Sequence, residues 1–274
     1  MHKKKPSIGG VPLLKKHGQY FLRDHSVVET MTASVPLKDA NVIEIGCGDG
    51  FLTREILRHS VAHLRIYEID PMWAKKVEQE LRDSRLEMVV TNVLDVDLSG
   101  IQGQAPWILL SNLPYHVTFP ILHKVQAFRH LIPEGVVMMQ EEVAQKIMKK
   151  SGRGYGYVSL FFQHYFEWKL LTKIPPTAFY PHPKVFSRLL HFKAHPHVTP
   201  IEQEKDFWRF IKLCFAHPRR TLKNNLMQTH VATSAFAEEL LQKRAQQLSM
   251  DDFLIIWQSI RGQFFPVSQD EVGE

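Results

Sequence analysis

Cysteine is nearly absent, with Cys47 and Cys214 the only two among 274 residues. Neither a disulfide framework nor a four-cysteine metal site can be built from them. The fifteen histidines are scattered, and His123 and the His195-Pro-His197 pair show no recurrent ligand spacing, so no metal is expected. Long apolar runs are also missing, which leaves no segment able to cross a bilayer as a helix. Acidic residues do not occur before Asp24, whereas Lys3, Lys4, Lys5, Lys15, Lys16 and Arg23 all precede it. Lacking an apolar stretch, this basic arm does not read as a signal peptide. It is Lys-rich where a mitochondrial presequence is Arg-rich, and the expected location is the cytoplasm.

The composition is that of a globular protein, 44% hydrophobic, with a net charge of +6 and a pI near 9.2. Such a balance suits a polyanionic partner. The basic residues are also grouped: the arm, then Lys146, Lys149, Lys150 and Arg153, then the stretch from Lys205 to Lys223.

Strands alternate with helices over the first half of the chain. Val42-Ile-Glu-Ile45 is β-branched and ends at glycines, and Phe51 opens a helical pattern. Further strands are expected at 64–69, 86–91, 107–111 and 135–139, with helices at 24–34, 50–59, from Pro71, and at 118–129. This rhythm predicts a doubly wound parallel sheet. Two more strands, at 165–172 and 185–192, flank a Pro-rich connection and are expected to pair antiparallel at the sheet edge. Residues 201–261 carry helical periodicity in four short segments.

Ligands of such sheets bind beyond the carboxyl ends of the strands. Gly46, Gly48 and Gly50 stand there, spaced Gly-x-Gly-x-Gly, where a Cβ is expected to obstruct a ligand. Glu68 ends the second strand 22 residues after Gly46, and an acidic side chain there can accept both hydroxyl protons of a ribose. Together these features call for a nucleoside-containing cofactor and for nothing narrower. At the end of strand four lies Asn112-Leu113-Pro114-Tyr115. An asparagine oxygen and the next backbone carbonyl can accept both protons of an adenine N6 amine, whose lone pair is otherwise delocalised into the ring. The proline fixes the backbone direction, and the tyrosine offers a π-face to an extruded base.

This combination resembles the rRNA adenine N6-methyltransferases, and the resemblance runs nearly end to end. Gly18-Gln-Tyr-Phe-Leu22 is similar to Gly-Gln-Asn-Phe-Leu, and Glu44-Ile-Gly-Cys-Gly-Asp-Gly50 to Glu-Ile-Gly-Pro-Gly-x-Gly. Tyr155-Gly-Tyr-Val-Ser159, Phe179-Tyr-Pro-His-Pro-Lys-Val-Phe-Ser187 and Phe215 to Leu226 match three further motifs. The tetrapeptide and the last motif favour the small-subunit branch over the antibiotic-resistance branch, which acts on large-subunit RNA. The resemblance implies a class I, Rossmann-like methyltransferase sheet of seven mostly parallel strands, followed by a small all-helical domain. It further implies S-adenosylmethionine as cofactor, with Gln19, Tyr20, Leu22, Gly46, Gly48, Glu68, Ile69, Asn92, Val93 and Asn112 around it. The reacting adenosine is then met by Asn112, Leu113, Pro114, Tyr115 and Phe179. RNA contacts fall to Lys146, Lys149, Lys150, Arg153, Lys184, Arg219, Arg220 and Lys223. The expected product is N6,N6-dimethyladenosine in small-subunit (16S-type) rRNA or an assembling small subunit, made by a monomer that uses neither a metal nor a covalent intermediate.

The sequence departs from the family at Tyr20, at Cys47 in place of Pro, at His116, and at Asn92, where an Asp is usual. The expected organisation is a basic arm over 1–16, a methyltransferase domain over 17–195, and a helical RNA-binding domain over 196–274. Three other readings compete: a large-subunit rRNA methyltransferase, a non-catalytic nucleic-acid-binding assembly or transcription factor on this fold, and an NAD-dependent oxidoreductase. The glycine spacing and the tetrapeptide speak against the last.

Overall fold

The computed structural model describes residues 7–8, 11–12, 20–227 and 236–261. Gln19 and the lysines of the arm lie outside them. Two short ladders come first: β1 (Ser7–Ile8) pairs with β2 (Val11–Pro12), and β3 (Phe21–Leu22) pairs with β10 (Phe179–Tyr180), both antiparallel.

The main sheet has seven strands: β4 (Asn41–Ile45), β5 (His63–Glu68), β6 (Leu86–Val90), β7 (Trp107–Asn112), β8 (Glu134–Gln140), β9 (Phe166–Ile174) and β11 (Ser187–Ala194). Their spatial order is β6-β5-β4-β7-β8-β11-β9. β4 to β8 run parallel, and β11 runs antiparallel to both of its neighbours. This is the doubly wound, mostly parallel α/β sheet that the strand rhythm predicts.

β9 and β11 do pair antiparallel, but the later strand takes the interior place. Leu189, Leu190 and Phe192 of β11 are fully buried, whereas β9 exposes Glu167, Lys169 and Lys173. An apolar strand gains from neighbours on both sides, and a charged one serves as an edge that resists further pairing.

Local chemistry sets the helix starts. Asp24 caps α1 (His25–Ala33), its carboxylate accepting from the Ser26 amide at 3.0 Å. α2 (Phe51–Arg58) begins after the glycine loop. Asp70 caps α3 (Pro71–Leu81), with Pro71 at the first helical position. α4 (Thr118–Ala127) follows the tetrapeptide.

Two helices were not foreseen, α5 (Glu141–Met148) and α6 (Tyr157–Tyr165). The α6 segment, Tyr-Val-Ser-Leu-Phe-Phe-Gln-His-Tyr, has the aromatic composition of a strand. Burial of Leu160, Phe161, Phe162 and Tyr165 holds it helical, since packing overrides weak intrinsic propensity.

The chain divides into two compact units, one of residues 1–144 with 166–195, the other of 145–165 with 196–274. Residues 145–165, placed with the sheet domain by the sequence reading, cluster instead with the C-terminal helices. Aromatic packing explains it: Phe161 lies 4.9 Å from Trp208 between ring centroids, and the Trp208 indole donates to the Tyr165 hydroxyl at 3.0 Å. The helices of this second unit are α7 (Glu204–Cys214), α8 (Leu222–Leu226), α9 (Glu238–Gln242) and α10 (Met250–Ile260), together with α6. Phe207, Phe210, Phe253 and Trp257 fill its core. Among the described residues no helix is long and apolar enough to cross a membrane.

Candidate active site

The carboxyl ends of β4, β5 and β7 open onto one cleft in the first unit. Tyr20, Leu22, Gly46, Gly48, Glu68, Ile69 and the whole tetrapeptide Asn112–Tyr115 line it, beside Met31, Glu44, Cys47, Asp49 and Phe51.

The glycine loop is shaped by backbone conformation. Gly46 has φ +76, and a Cβ added there meets no atom within 4 Å. The left-handed backbone therefore demands glycine at Gly46, and crowding by the protein does not. Gly48 has φ +53, and its added Cβ would stand 3.1 Å from the Phe21 ring. Both constraints act at that position.

Glu68 ties the loop to β5. One carboxylate oxygen accepts from the Gly48 amide at 3.1 Å and from the Cys47 thiol at 3.6 Å, and the other accepts from the Asp70 amide at 2.9 Å. Burial pushes the Glu68 carboxyl up, against the pull of those amides. Burial also raises the Cys47 thiol well above its ordinary value, so it stays protonated and donates. Cys47 thus contributes a hydrogen bond that a proline side chain could not make. The oxygen that meets the Asp70 amide keeps a further lone pair for a ribose hydroxyl, whereas the other is already met by two donors.

Glu44 was not singled out as a ligand-facing side chain. The available signal was an acidic residue inside the otherwise apolar Val42–Ile45. It is 1% exposed, accepts from the Thr53 hydroxyl at 2.7 Å, and burial raises its pKa to about 8. The unfolded chain releases this proton near the ordinary carboxyl value of 4.5, and the folded chain keeps it up to about 8. Folding therefore loses stability as pH rises between the two. Glu44→Gln is expected to remove this component. Urea unfolding at pH 5, 7 and 9 should show a shallower fall in stability for the variant, and an equal fall would remove Glu44 as its source.

At the other end of the cleft, the Asn112 amide donates through Nδ2 to the Tyr20 carbonyl at 3.3 Å, which leaves Oδ1 as an acceptor. The Leu113 amide donates to the Met138 carbonyl at 3.0 Å, fixing the tetrapeptide backbone against β8. Tyr115 hydrogen-bonds through its hydroxyl to Ser187 at 2.6 Å, and its ring stacks on Tyr20 with centroids 5.5 Å apart. Ser187 is another residue the sequence reading left without a site role; its signal was a polar residue ending a motif at the mouth of an apolar strand.

Three expected residues are not among those lining the cleft. Phe179 is 1% exposed, paired with Leu22 through β10 and β3 in the apolar core, and does not line the cleft. Asn92 spends its side chain on a local turn, accepting from the Leu94 amide at 3.1 Å and donating to Asp95 at 3.0 Å. Val93 packs with Ile43, Ile45 and Tyr67, on the face of β4 opposite Glu44. An aspartate at position 92 would here place a second carboxylate against Asp95.

The expected RNA contacts divide between the units. Lys184 is exposed in the first. Lys146, Lys149, Lys150, Arg153, Arg219 and Arg220 are exposed in the second, whereas Lys223 is half-buried and paired with Glu238 at 3.3 Å. Tyr155, just after the 149–153 loop, packs edge-on to Phe215, which precedes the turn bearing Arg219 and Arg220, with ring centroids 5.8 Å apart. Asn225 fixes the start of that turn, donating to the His217 carbonyl and accepting from the His217 amide.

The cleft suits S-adenosylmethionine: left-handed glycine backbone opens the loop, and Glu68 offers a carboxylate oxygen to the ribose. Comparison with known proteins agrees. The family model for ribosomal RNA adenine dimethylase matches residues 13–261. A ribosomal RNA small subunit methyltransferase A from Chlorobium phaeobacteroides is 34% identical over 254 residues, 92% of each chain. Its namesake from Desulfitobacterium hafniense is 32% identical over 92% of this chain and 94% of its own. Among solved structures, a dimethyladenosine transferase from Plasmodium falciparum superposes with a TM-score of 0.73 at 18% identity, covering 89% of this chain and all of that one. The 23S rRNA methyltransferase ErmE gives 0.67 at 20%, covering 88% and 99%. These two speak to the fold alone. On the family match and the sequence relatives, the chain belongs to the ribosomal RNA adenine dimethylases, methyltransferases that depend on S-adenosylmethionine.

Proposed function

We propose that this cleft dimethylates adenosine N6 in small-subunit ribosomal RNA, with the cofactor along the β4–β5 side and the base at Asn112–Tyr115. The observation that carries the reading is the Asn112 amide, turned by the Tyr20 carbonyl so that Oδ1 remains to accept an N6 proton. Bound S-adenosylmethionine supplies an electrophilic methyl group. Asn112 Oδ1 and the Leu113 carbonyl accept the two N6 hydrogens and draw the nitrogen toward tetrahedral geometry, so its lone pair becomes available. For each N6–CH3 bond formed the cofactor's S–CH3 bond breaks, leaving a thioether, and one N6 proton passes to solvent; the cycle runs twice. Tyr115, held by Ser187, presents a fixed ring to the base. Tyr20 already covers one face of that ring, so the base takes the opposite face or displaces Tyr20.

The second unit serves as the RNA-orienting part, through the 149–153 loop and the Arg219–Arg220 turn. The enzyme acts as a monomer in the cytoplasm, on rRNA within a partly assembled small subunit. The direct test is mass spectrometry of rRNA from cells with and without the gene. Loss of dimethyladenosine from small-subunit rRNA is expected; loss confined to large-subunit rRNA would overturn the assignment. A second test addresses the RNA surface. Arg219→Ala with Arg220→Ala is expected to weaken RNA binding and to flatten its salt dependence by about one unit or less per lost contact. S-adenosylmethionine affinity should be untouched, and an unchanged salt slope would remove this turn from the interface.

A further inference from the structure

Exposed apolar side chains gather at one place beside the tetrapeptide. Tyr180, Val185 and Phe186 are 47%, 43% and 45% exposed, within a single seven-residue stretch. That stretch is fastened at both ends to the cleft. Tyr180 pairs with Phe21 through the β10–β3 ladder, and Ser187, directly after Phe186, bonds to the Tyr115 hydroxyl. The Phe186 carbonyl accepts from the Glu141 amide at 3.0 Å, and Glu141 in turn receives a two-point ion pair from Arg188. The aromatic side chain at 186 is therefore exposed on a backbone that cannot drift. Lys173 places its ammonium 4.5 Å from the Phe186 ring centroid, and Lys184 is exposed two residues before it.

A rigid exposed ring with cations beside it, one residue from the group that anchors Tyr115, fits a nucleotide next to the one being modified. We propose that Phe186 is a stacking platform for the base flanking the target adenosine, with Lys173 and Lys184 on the adjoining phosphates. Successive unstacked nucleotides can each use an aromatic face without regard to base identity. Pro181 and Pro183 restrict the loop, so little ordering is needed on binding. Charge complementarity selects RNA over an apolar protein partner. The platform would hold the strand in register, so that one adenosine and no neighbour enters the cleft. This rests on the adenosine-methylating reading of the cleft.

The test uses the full-length protein, small-subunit particles lacking the modification, and protein-free rRNA from the same particles. Phe186→Ala is expected to raise KM for both RNA substrates about 10-fold, while kcat at saturating RNA and S-adenosylmethionine affinity by calorimetry stay within about twofold. Phe186→Trp should restore KM, since it keeps a π-face. With 2-aminopurine placed beside the target adenosine, binding of the wild type should quench fluorescence and Phe186→Ala should lose that quenching. Unchanged KM and unchanged quenching, in a preparation whose wild type methylates normally, would overturn the platform and leave the proposed activity standing. A KM increase on particles but not on protein-free rRNA would also overturn it, assigning the loop to a ribosomal protein. Wild-type protein that transfers no methyl group to either RNA would instead defeat the reading of the cleft itself.

Discussion

Asn112→Ala is expected to lower the rate of methyl transfer by at least ~100-fold with S-adenosylmethionine binding little changed. The structure makes this a sharp expectation because the Asn112 Nδ2 is engaged by the Tyr20 carbonyl and Oδ1 is the atom left to act. Removing the amide deletes the acceptor that draws N6 out of conjugation, and an alanine has no atom to replace it. The loss should fall on kcat under saturating cofactor and RNA, measured in single turnover so that product release does not mask it. Asn112→Asp restores an acceptor but loses the donor to Tyr20, so its carboxylate is no longer oriented and recovery should be partial. Near wild-type turnover in Asn112→Ala would remove the adenine mechanism.

Glu68→Ala is expected to weaken S-adenosylmethionine binding by about 2–3 kcal/mol, or about 30- to 150-fold. Two effects combine. The ribose loses its carboxylate acceptor, and the Gly48 and Asp70 amides lose the group that positions the loop and the start of α3. Calorimetry at constant pH measures the first, and thermal unfolding of the ligand-free protein separates the second. Because burial raises the Glu68 carboxyl, affinity should also decline as pH falls into its titration range, and Glu68→Gln should flatten that decline. Unchanged affinity in Glu68→Ala would take this residue out of the site.

The cofactor side of the cleft and the tetrapeptide were legible in the sequence because their chemistry is local. A β-branched strand ending in glycines, an acid at the next strand end, and an Asn-Leu-Pro-Tyr turn each announce themselves within a few residues. Residues whose role depends on distant neighbours did not. Glu44 reads as one more strand residue until Thr53 and the cleft surround it. Ser187 gains meaning only from Tyr115, 72 positions away. Asn92 and Val93, expected at the site from a short aligned motif, are not among the residues lining the cleft: Asn92 caps a tight turn at the end of β6, and Val93 is buried. Phe179 was placed beside the base for the same kind of reason, and the β10–β3 ladder turns it into the core. The strand-like composition of α6 hid a helix, since aromatic packing within the second unit is a non-local force.

The interior position of β11 governs the order in which the molecule can be completed during synthesis. A nascent chain that has emerged only to Ile174 carries β8 and β9 with no strand to join them, because the one that bonds to both has not yet been made. Until Ser187–Ala194 arrives, the apolar backbone of β8 is an open edge able to recruit a strand from another chain. Closing it joins Ser187 to Gln140 across a long excursion, a slow class of contact. The same event delivers the hydroxyl that holds Tyr115. A prematurely ended chain therefore lacks sheet closure and an oriented tyrosine together, so competence for chemistry arrives with the last strand and not before it.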